Sequence, residues 1–230
     1  MLQTKQLQLT RPPDRPVPQR PARSCTGVLL AAGSSQRFGS DKRLHLLANS
    51  EPLALTTLGV WADALTNQWL SELIVVTRGD PAHPDPLDAL VLAHAQATGI
   101  TIRVVNAPKA ELGMGHSLAA AIPHTPRGPI IVGLADMPYL QGATIQQIAR
   151  ALQLAAPSAI VRPSYKGTPG NPVGFGAQWH QTLGTSSGDQ GARTFVQEAA
   201  RNRQLTDLPV TDGGILRDID TQADLVGQTI

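Results

Sequence analysis

The feature that most constrains this chain is an apolar run that breaks at a glycine. Val28-Leu29-Leu30-Ala31-Ala32 leads into Gly33, and from there to Lys42 most residues are small, polar or basic. The apolar run reads as a buried strand of a parallel sheet. Gly33 and Gly39 permit a tight turn and a close backbone approach to a ligand. Arg37 and Lys42 add two cations to the same loop. A strand ending in a Gly/Ser loop with basic side chains suits a nucleoside triphosphate, because backbone N–H groups can cradle phosphate oxygens while the cations offset their charge.

Two familiar phosphate loops do not fit. The P-loop requires G-x-x-x-x-G-K-[ST], but five residues separate Gly33 from Gly39, and Lys42 is followed by Arg43. The dinucleotide fingerprint G-x-G-x-x-G is also absent at this position. What remains is L-A-A-G-x-x-x-R-x-G-x-x-K from Leu30 to Lys42. It closely resembles the signature of the MobA-like nucleotidyltransferases, which move a nucleoside monophosphate from an NTP onto an acceptor phosphate.

Downstream, the periodicity alternates between helix and strand. Pro52 opens a helical pattern through Leu53, Leu58, Trp61, Leu65 and Trp69; Ser71–Thr77 is a strand, Leu87–Ala97 a helix, and Ile100–Asn106 a strand. Pro129–Leu134 is a further strand, Ala143–Ala155 a helix, Ala159–Pro163 a strand, and Thr194–Arg201 a helix. This alternation predicts an α/β fold with a doubly wound, mostly parallel, Rossmann-like sheet flanked by helices. Aromatic residues make up only 3% of the chain, so the expected core is aliphatic.

Charge is unevenly placed. Residues 1–24 carry Lys5, Arg11, Arg15, Arg20 and Arg23 against Asp14, a net of +4, within a total of +2. The remaining −2 gives no case for nucleic-acid binding. Five prolines between Pro12 and Pro21 mark this arm as disordered, either a solvated leader or a contact for an acidic partner. Residues 25–230 are the expected catalytic domain. The lone Cys25 excludes an internal disulfide and agrees with a reducing compartment. With no membrane-length apolar stretch and no apolar leader, the cytoplasm is the expected location. The six histidines show no metal-ligand spacing, and no G-x-S-x-G elbow appears.

Four later segments carry candidate chemistry. Asp136, in Leu134-Ala135-Asp136-Met137-Pro138, follows a central strand, where ligands bind in open α/β sheets and where a hard cation would find an oxygen ligand. It could instead cap the next helix. Gly113-Met114-Gly115-His116-Ser117-Leu118 offers a flexible turn, with Ser117 in the first turn of a helix ending at Ala121. Lys166–Val173 is turn-rich, and Gly170-Asn171-Pro172 within it could be an ordinary turn. Asp189 and Arg193 stand four apart, as a cap and an i,i+4 partner or as an anion clamp. Asp218 and Asp220 fall on one face of a short strand by alternation, and Asp220 could equally cap the turn after Thr221.

These segments extend the resemblance over residues 25–230, with five motifs in the family's order. Gly113-Met114-Gly115-x-Ser117-Leu118 is similar to a segment of the molybdenum cofactor cytidylyltransferases, the MocA-like branch. Where that branch carries Gly-His-Pro, this chain has Gly170-Asn171-Pro172; Asn cannot take up the charge that His can.

The resemblance implies transfer of CMP from CTP to the terminal phosphate of molybdopterin, with release of pyrophosphate, and hand-over of the product to a molybdenum hydroxylase. It implies nucleotide binding by Leu30, Ala31, Ala32, Gly33, Ser34, Arg37, Gly39 and Lys42, with Lys42, Arg37 and Asp136 catalytic. Asp136 and Asp220 would hold Mg²⁺, or Mn²⁺ in its place. Gly113, Met114, Gly115, Ser117, Gly170, Asn171, Pro172, Gly188, Asp189 and Arg193 would bind the acceptor. Cytosine follows from Ala32, because the guanylyl branch usually carries a glycine there. The alternatives are a guanylyl or sugar-phosphate nucleotidyltransferase, a molybdopterin-binding chaperone without catalysis, and a regulatory nucleotide-binding domain.

Overall fold

The computed structural model describes residues 25–66, 68, 70–80, 82–189 and 191–225. The basic arm of residues 1–24, Trp69 and Val226 lie outside the described residues. The first strand, β1 (Cys25–Leu30), is followed by α1 (Leu53–Thr66), β2 (Leu70–Thr77), α2 (Pro86–Thr98) and β3 (Ile102–Asn106). Then come α3 (Met114–Ala121), β4 (Ile130–Leu134), α4 (Gly142–Leu154) and β5 (Ile160–Tyr165). The chain closes with β6 (Thr168–Pro169), β7 (Val173–Phe175), α5 (His180–Leu183), α6 (Arg193–Arg201) and β8 (Leu205–Pro209).

The sheet order is β3-β2-β1-β4-β7-β5-β6, with β8 on β5. The pairs β1/β2, β1/β4, β2/β3 and β5/β8 are parallel. The mostly parallel, Rossmann-like architecture is therefore present. The chain runs outward from β1 to β3, then returns to place β4 on β1's other side, so the order reverses between β1 and β4. The loops leaving those two strands consequently share one crevice.

The strands sort their side chains by the two-residue period, with both faces buried. Cys25, Leu29, Leu73, Val75, Ile131 and Val161 join one core with α1, α2 and α4. Val28, Leu30, Ile74, Val76, Val132 and Ile160 join the other, with α3 and α6.

The core is not purely aliphatic: Trp61 and Phe175 are among its largest fully buried side chains. Two strand glycines make room for the Trp61 indole. A Cβ built on Gly133 would stand 2.2 Å from Trp61 Cζ2, and one on Gly27 would stand 3.1 Å from Trp61 Cζ3.

Other expectations need correction. The Lys166–Val173 stretch is not all loop. Lys166 and Gly167 take positive φ values of 50° and 82° and join β5 to β6 as a tight hairpin, and β7 pairs antiparallel with β4 and β5. Ser117 does sit in the first turn of a helix ending at Ala121, which starts at Met114 after Gly113, at φ 117°. Asp218 and Asp220 are not on a strand. The backbone of Ile219 between them bonds elsewhere, its N–H donating to the Asp136 carbonyl at 2.9 Å. No described helix is long and apolar enough to cross a membrane.

Candidate functional site

The crevice at the C-terminal ends of β1 and β4 gathers the principal candidates. Lys42 begins a 3₁₀ turn (Lys42–Leu44), and its side chain is 11% exposed. Its ammonium donates to Asp136 Oδ2 at 2.7 Å, to the Ile219 carbonyl at 2.7 Å and to Asp220 Oδ1 at 3.2 Å. Arg37, 75% exposed, reaches the other oxygen of Asp220, with Nη1 2.9 Å from Oδ2. Three remote segments thus meet on one ammonium, and the two carboxylates proposed as metal ligands face the same point.

The groups polarise one another. Burial pushes the Lys42 ammonium down, but Asp136 and then Asp220 more than reverse this, so its pKa is raised. Burial likewise pushes the Asp136 carboxyl above its ordinary value; Lys42 pulls back against this, and the nearby Asp218 charge pushes the same way as burial. The two shifts pull oppositely on one ion pair: the pair attracts, but it sits where an ionised carboxylate is poorly solvated. The ammonium, with three partners, keeps its charge. The Asp136 shift reflects burial, which a second cation would relieve. Asp136 Oδ1 is buried and has no hydrogen-bond partner among the described residues.

That orphaned oxygen fits a cation. No described group of three or more His, Cys, Asp or Glu side chains is disposed to hold a metal. Two carboxylates alone suit a hard ion that keeps waters and substrate phosphates as its other ligands, which is the habit of Mg²⁺.

The segment bearing Asp220 is tied to the β4 loop a second time. Asp212, buried, accepts from Gln141 N–H at 2.9 Å and from Thr144 Oγ1 at 2.8 Å at the start of α4. The Asp220 carboxylate faces Lys42 and Arg37, and it is Asp224 that accepts from the N–H groups of Asp220 and Thr221, at 3.0 and 2.7 Å.

Two clefts open off the end of β1. Leu30 lines the larger, about 490 Å³, together with Met114, Gly170, Asn171, Arg162 and Arg193. Ala32 lines the smaller, about 210 Å³, together with Ser34, Arg78, Gly79, Ala107 and Pro108.

Several acceptor candidates support the larger cleft rather than line it. The Gly115 N–H donates to the Gly188 carbonyl at 2.8 Å. A Cβ on Gly113 would lie 2.6 Å from Asp189 Oδ1, and one on Gly115 would lie 2.5 Å from the Ser187 backbone. These glycines let the two segments touch. Asn171 is held through its backbone N–H, which donates to the Ile215 carbonyl at 3.0 Å, and its peptide bond to Pro172 is cis. Ser117 is buried within α3 and lines neither cleft. Asp189 does not cap α6, which is preceded by Ala192.

Sequence reasoning missed a buried ion cluster behind the smaller cleft. Arg43, 3% exposed in its side chain, donates from Nε and Nη2 to Asp41 at 2.8 and 2.7 Å. It also donates from Nη1 and Nη2 to Asp85 at 2.5 and 3.1 Å, and from Nη1 to the Ala31 carbonyl at 2.7 Å. Arg78 joins through Asp41. The one available signal was Asp85-Pro86, a helix-start pair; Asp85 does cap α2, accepting from Leu87 N–H at 2.9 Å.

Burial pushes Asp41 up, but Arg43 and Arg78 outweigh it, so its pKa is lowered from 3.8. A carboxyl lowered on folding adds stability above its unfolded value and loses it as pH falls through the folded one. Wild-type protein is therefore expected to lose stability steadily below about pH 4. Asp41→Asn is expected to be less stable at neutral pH and to show a shallower decline over that window. Melting temperatures from pH 3 to 7 check this; parallel curves would contradict it.

Comparison with known proteins identifies the family and the fold. The MobA-like NTP transferase domain family matches residues 27–204. Rv0371c from Mycobacterium tuberculosis H37Rv is similar in structure, at TM-score 0.65 and 27% identity over 87% of this chain and 95% of that one. A structure of Rv0371C in complex with manganese is similar at TM-score 0.63 and 26% identity, with the same coverage of 87% and 95%. A nucleotidyl transferase from Methanothermobacter thermautotroptrophicus (Mth528) shares the fold at TM-score 0.67 and 20% identity, over 87% of this chain and 94% of that one. No curated protein matches the sequence at a significant level.

Proposed function

The chain belongs to the MobA-like NTP transferase domain family, a family of nucleotidyltransferases, and from that footing we propose that it transfers CMP from CTP to the terminal phosphate of molybdopterin, releasing pyrophosphate. Residues 25–230 form the transferase domain in this reading, and the cytoplasm is its setting. A molybdenum hydroxylase is the proposed recipient of the product.

The observation that carries the reading is the meeting of Lys42, Asp136 and Asp220; two clefts open off the end of β1, one past Leu30 and one past Ala32. A transferase that joins two phosphates needs a site for each substrate and a charged centre between them. The smaller cleft, beside Ala32, takes the nucleoside. The larger, apolar-walled but edged by Asn171, Arg162 and Arg193, takes a flat heterocycle carrying a phosphate.

The obstacle is bringing anions together, so positioning and electrostatic stabilisation dominate. Lys42 offsets the charge on the transferring phosphoryl group. Arg37, exposed and within reach of Asp220, holds the outer phosphates with the backbone of the Gly33–Gly39 loop. Arg193 orients the acceptor phosphate, which is already ionised and needs no general base. Asp136 and Asp220 would hold Mg²⁺ or Mn²⁺; the unpartnered Asp136 oxygen and the manganese complex of Rv0371C support this choice. When bound, such an ion supplies Lewis-acid stabilisation of phosphoryl charge.

The methyl of Ala32 is the proposed discriminator for cytosine. Ala32→Gly is expected to lower the preference for CTP over GTP in kcat/KM by about tenfold, the scale of one methyl group in a pocket. An unchanged preference would remove Ala32 from base selection and reopen the guanylyl alternative.

A further inference from the structure

We infer that Arg43 is a positioning residue for nucleotide selection: its buried guanidinium clamps together two of the three walls of the smaller cleft. The inference rests on that cleft holding the nucleoside. One wall leaves β1 through Ala32 and Ser34, a second leaves β2 through Arg78, Gly79 and Asp80, and a third follows β3 between Ala107 and Glu111. The backbone joins β1 to β2 only as far as the Ala31 N–H, which donates to the Val76 carbonyl at 2.7 Å; no backbone bond between the described residues beyond it ties the first two loops together. Arg43 joins them instead.

All five of its N–H groups are used. Two go to Asp41, at the end of the first loop. Two go to Asp85, at the end of the second. One goes to the Ala31 carbonyl, where the first loop begins. Asp85 passes the constraint on, accepting from the Arg78 N–H at 3.2 Å while capping α2. Gly79 follows at φ 103°, and a Cβ there would meet the His83 carbonyl at 2.6 Å, so this wall has little room to shift. Arg43 is also the next residue after Lys42. The clamp that sets the cleft therefore also anchors the turn carrying the ammonium to Asp136.

A planar fork with five donors can satisfy two carboxylates and a carbonyl at once. A lysine in its place has three donors and no fork. Arg43→Lys keeps the charge but breaks the geometry. Losing one charged hydrogen bond in a preorganised site is worth about a tenfold change in affinity.

The test is calorimetric binding of CTP and GTP, with Mg²⁺, to the full chain and to the Arg43→Lys and Asp85→Asn variants. Circular dichroism confirms that each variant is folded. Asp85→Asn keeps a side-chain oxygen for the α2 cap, so it serves if Arg43→Lys does not fold. The expected result is at least a tenfold rise in the Kd for CTP and at least a threefold fall in the CTP-to-GTP preference in a folded variant. Unchanged Kd values and preference in a folded variant would overturn the inference, leaving Arg43 a structural residue only. Failure of the wild-type chain to bind either nucleotide would instead overturn the nucleotidyltransferase reading on which it rests.

Discussion

Replacing Asp136 by Asn is expected to lower nucleotidyl transfer by about 10³-fold, roughly 4 kcal/mol of transition-state stabilisation, while leaving the melting temperature unchanged or slightly raised. The two halves of this result have one cause. The Asp136 side chain is 19% exposed, its Oδ1 is buried and unpartnered among the described residues, and burial holds its pKa above the ordinary carboxyl value. The native state therefore binds that proton more tightly than the unfolded chain, and stability falls as pH rises through the window above 3.8. At neutral pH the ionised group is a cost that the fold carries. Asn removes the charge and still offers an oxygen to Lys42, which also keeps Asp220 and the Ile219 carbonyl. What is lost is one of the two charges facing Lys42 and the charge that phosphates and a cation call on when present. Assays of turnover beside thermal melts check both halves. Turnover within tenfold of wild type would reduce Asp136 to a structural residue.

Lys42→Met is expected to act on both properties at once, destabilising the fold by about 2–4 kcal/mol and abolishing measurable turnover. The Lys42 pKa is raised on folding, so its stabilising contribution is present at neutral pH and is lost only in strong alkali, as pH climbs through the folded value. Without the ammonium, Asp136 and Asp220 face one point with no cation between them. The figure stays below that of a fully buried pair because Asp220 is 33% exposed. Added Mg²⁺ or Mn²⁺ is expected to raise the melting temperature of this variant more than that of wild type, since a ligand bound only by the native state stabilises it by mass action. Equal responses would show that the two carboxylates do not form a cation site.

The contrast between Asp136 and Arg43 shows how far this sequence could be read. Asp136 was legible because it stands two residues past an apolar run that announces a strand, and Lys42 because it closes the glycine loop that follows another; strand ends in an open α/β sheet point into one crevice. Asp220 was legible only through resemblance, and its expected strand does not form, because the Ile219 backbone is committed to Asp136 and Lys42. Arg43 and Asp85 lie 42 residues apart, and no periodicity relates them. Their pairing exists only once β1 and β2 lie side by side.

The sheet shows the same division. The βαβαβ run from β1 to β3 was visible in its periodicity. The antiparallel β7 is only Val173-Gly174-Phe175, too short to carry a pattern, and β8, Leu205–Pro209, is half exposed and ends in a proline. Trp61 was visible as part of a helix but not as a core centre. That role depends on Gly27 and Gly133, on two different strands, leaving space for its ring.

The most direct measurement is pyrophosphate release from CTP and from GTP, each with Mg²⁺ and molybdopterin, by wild type and by Asp136→Asn. The account predicts release from CTP, little from GTP, and loss of both in the variant. Release that survives unchanged in the variant, or that occurs only with GTP, would contradict it.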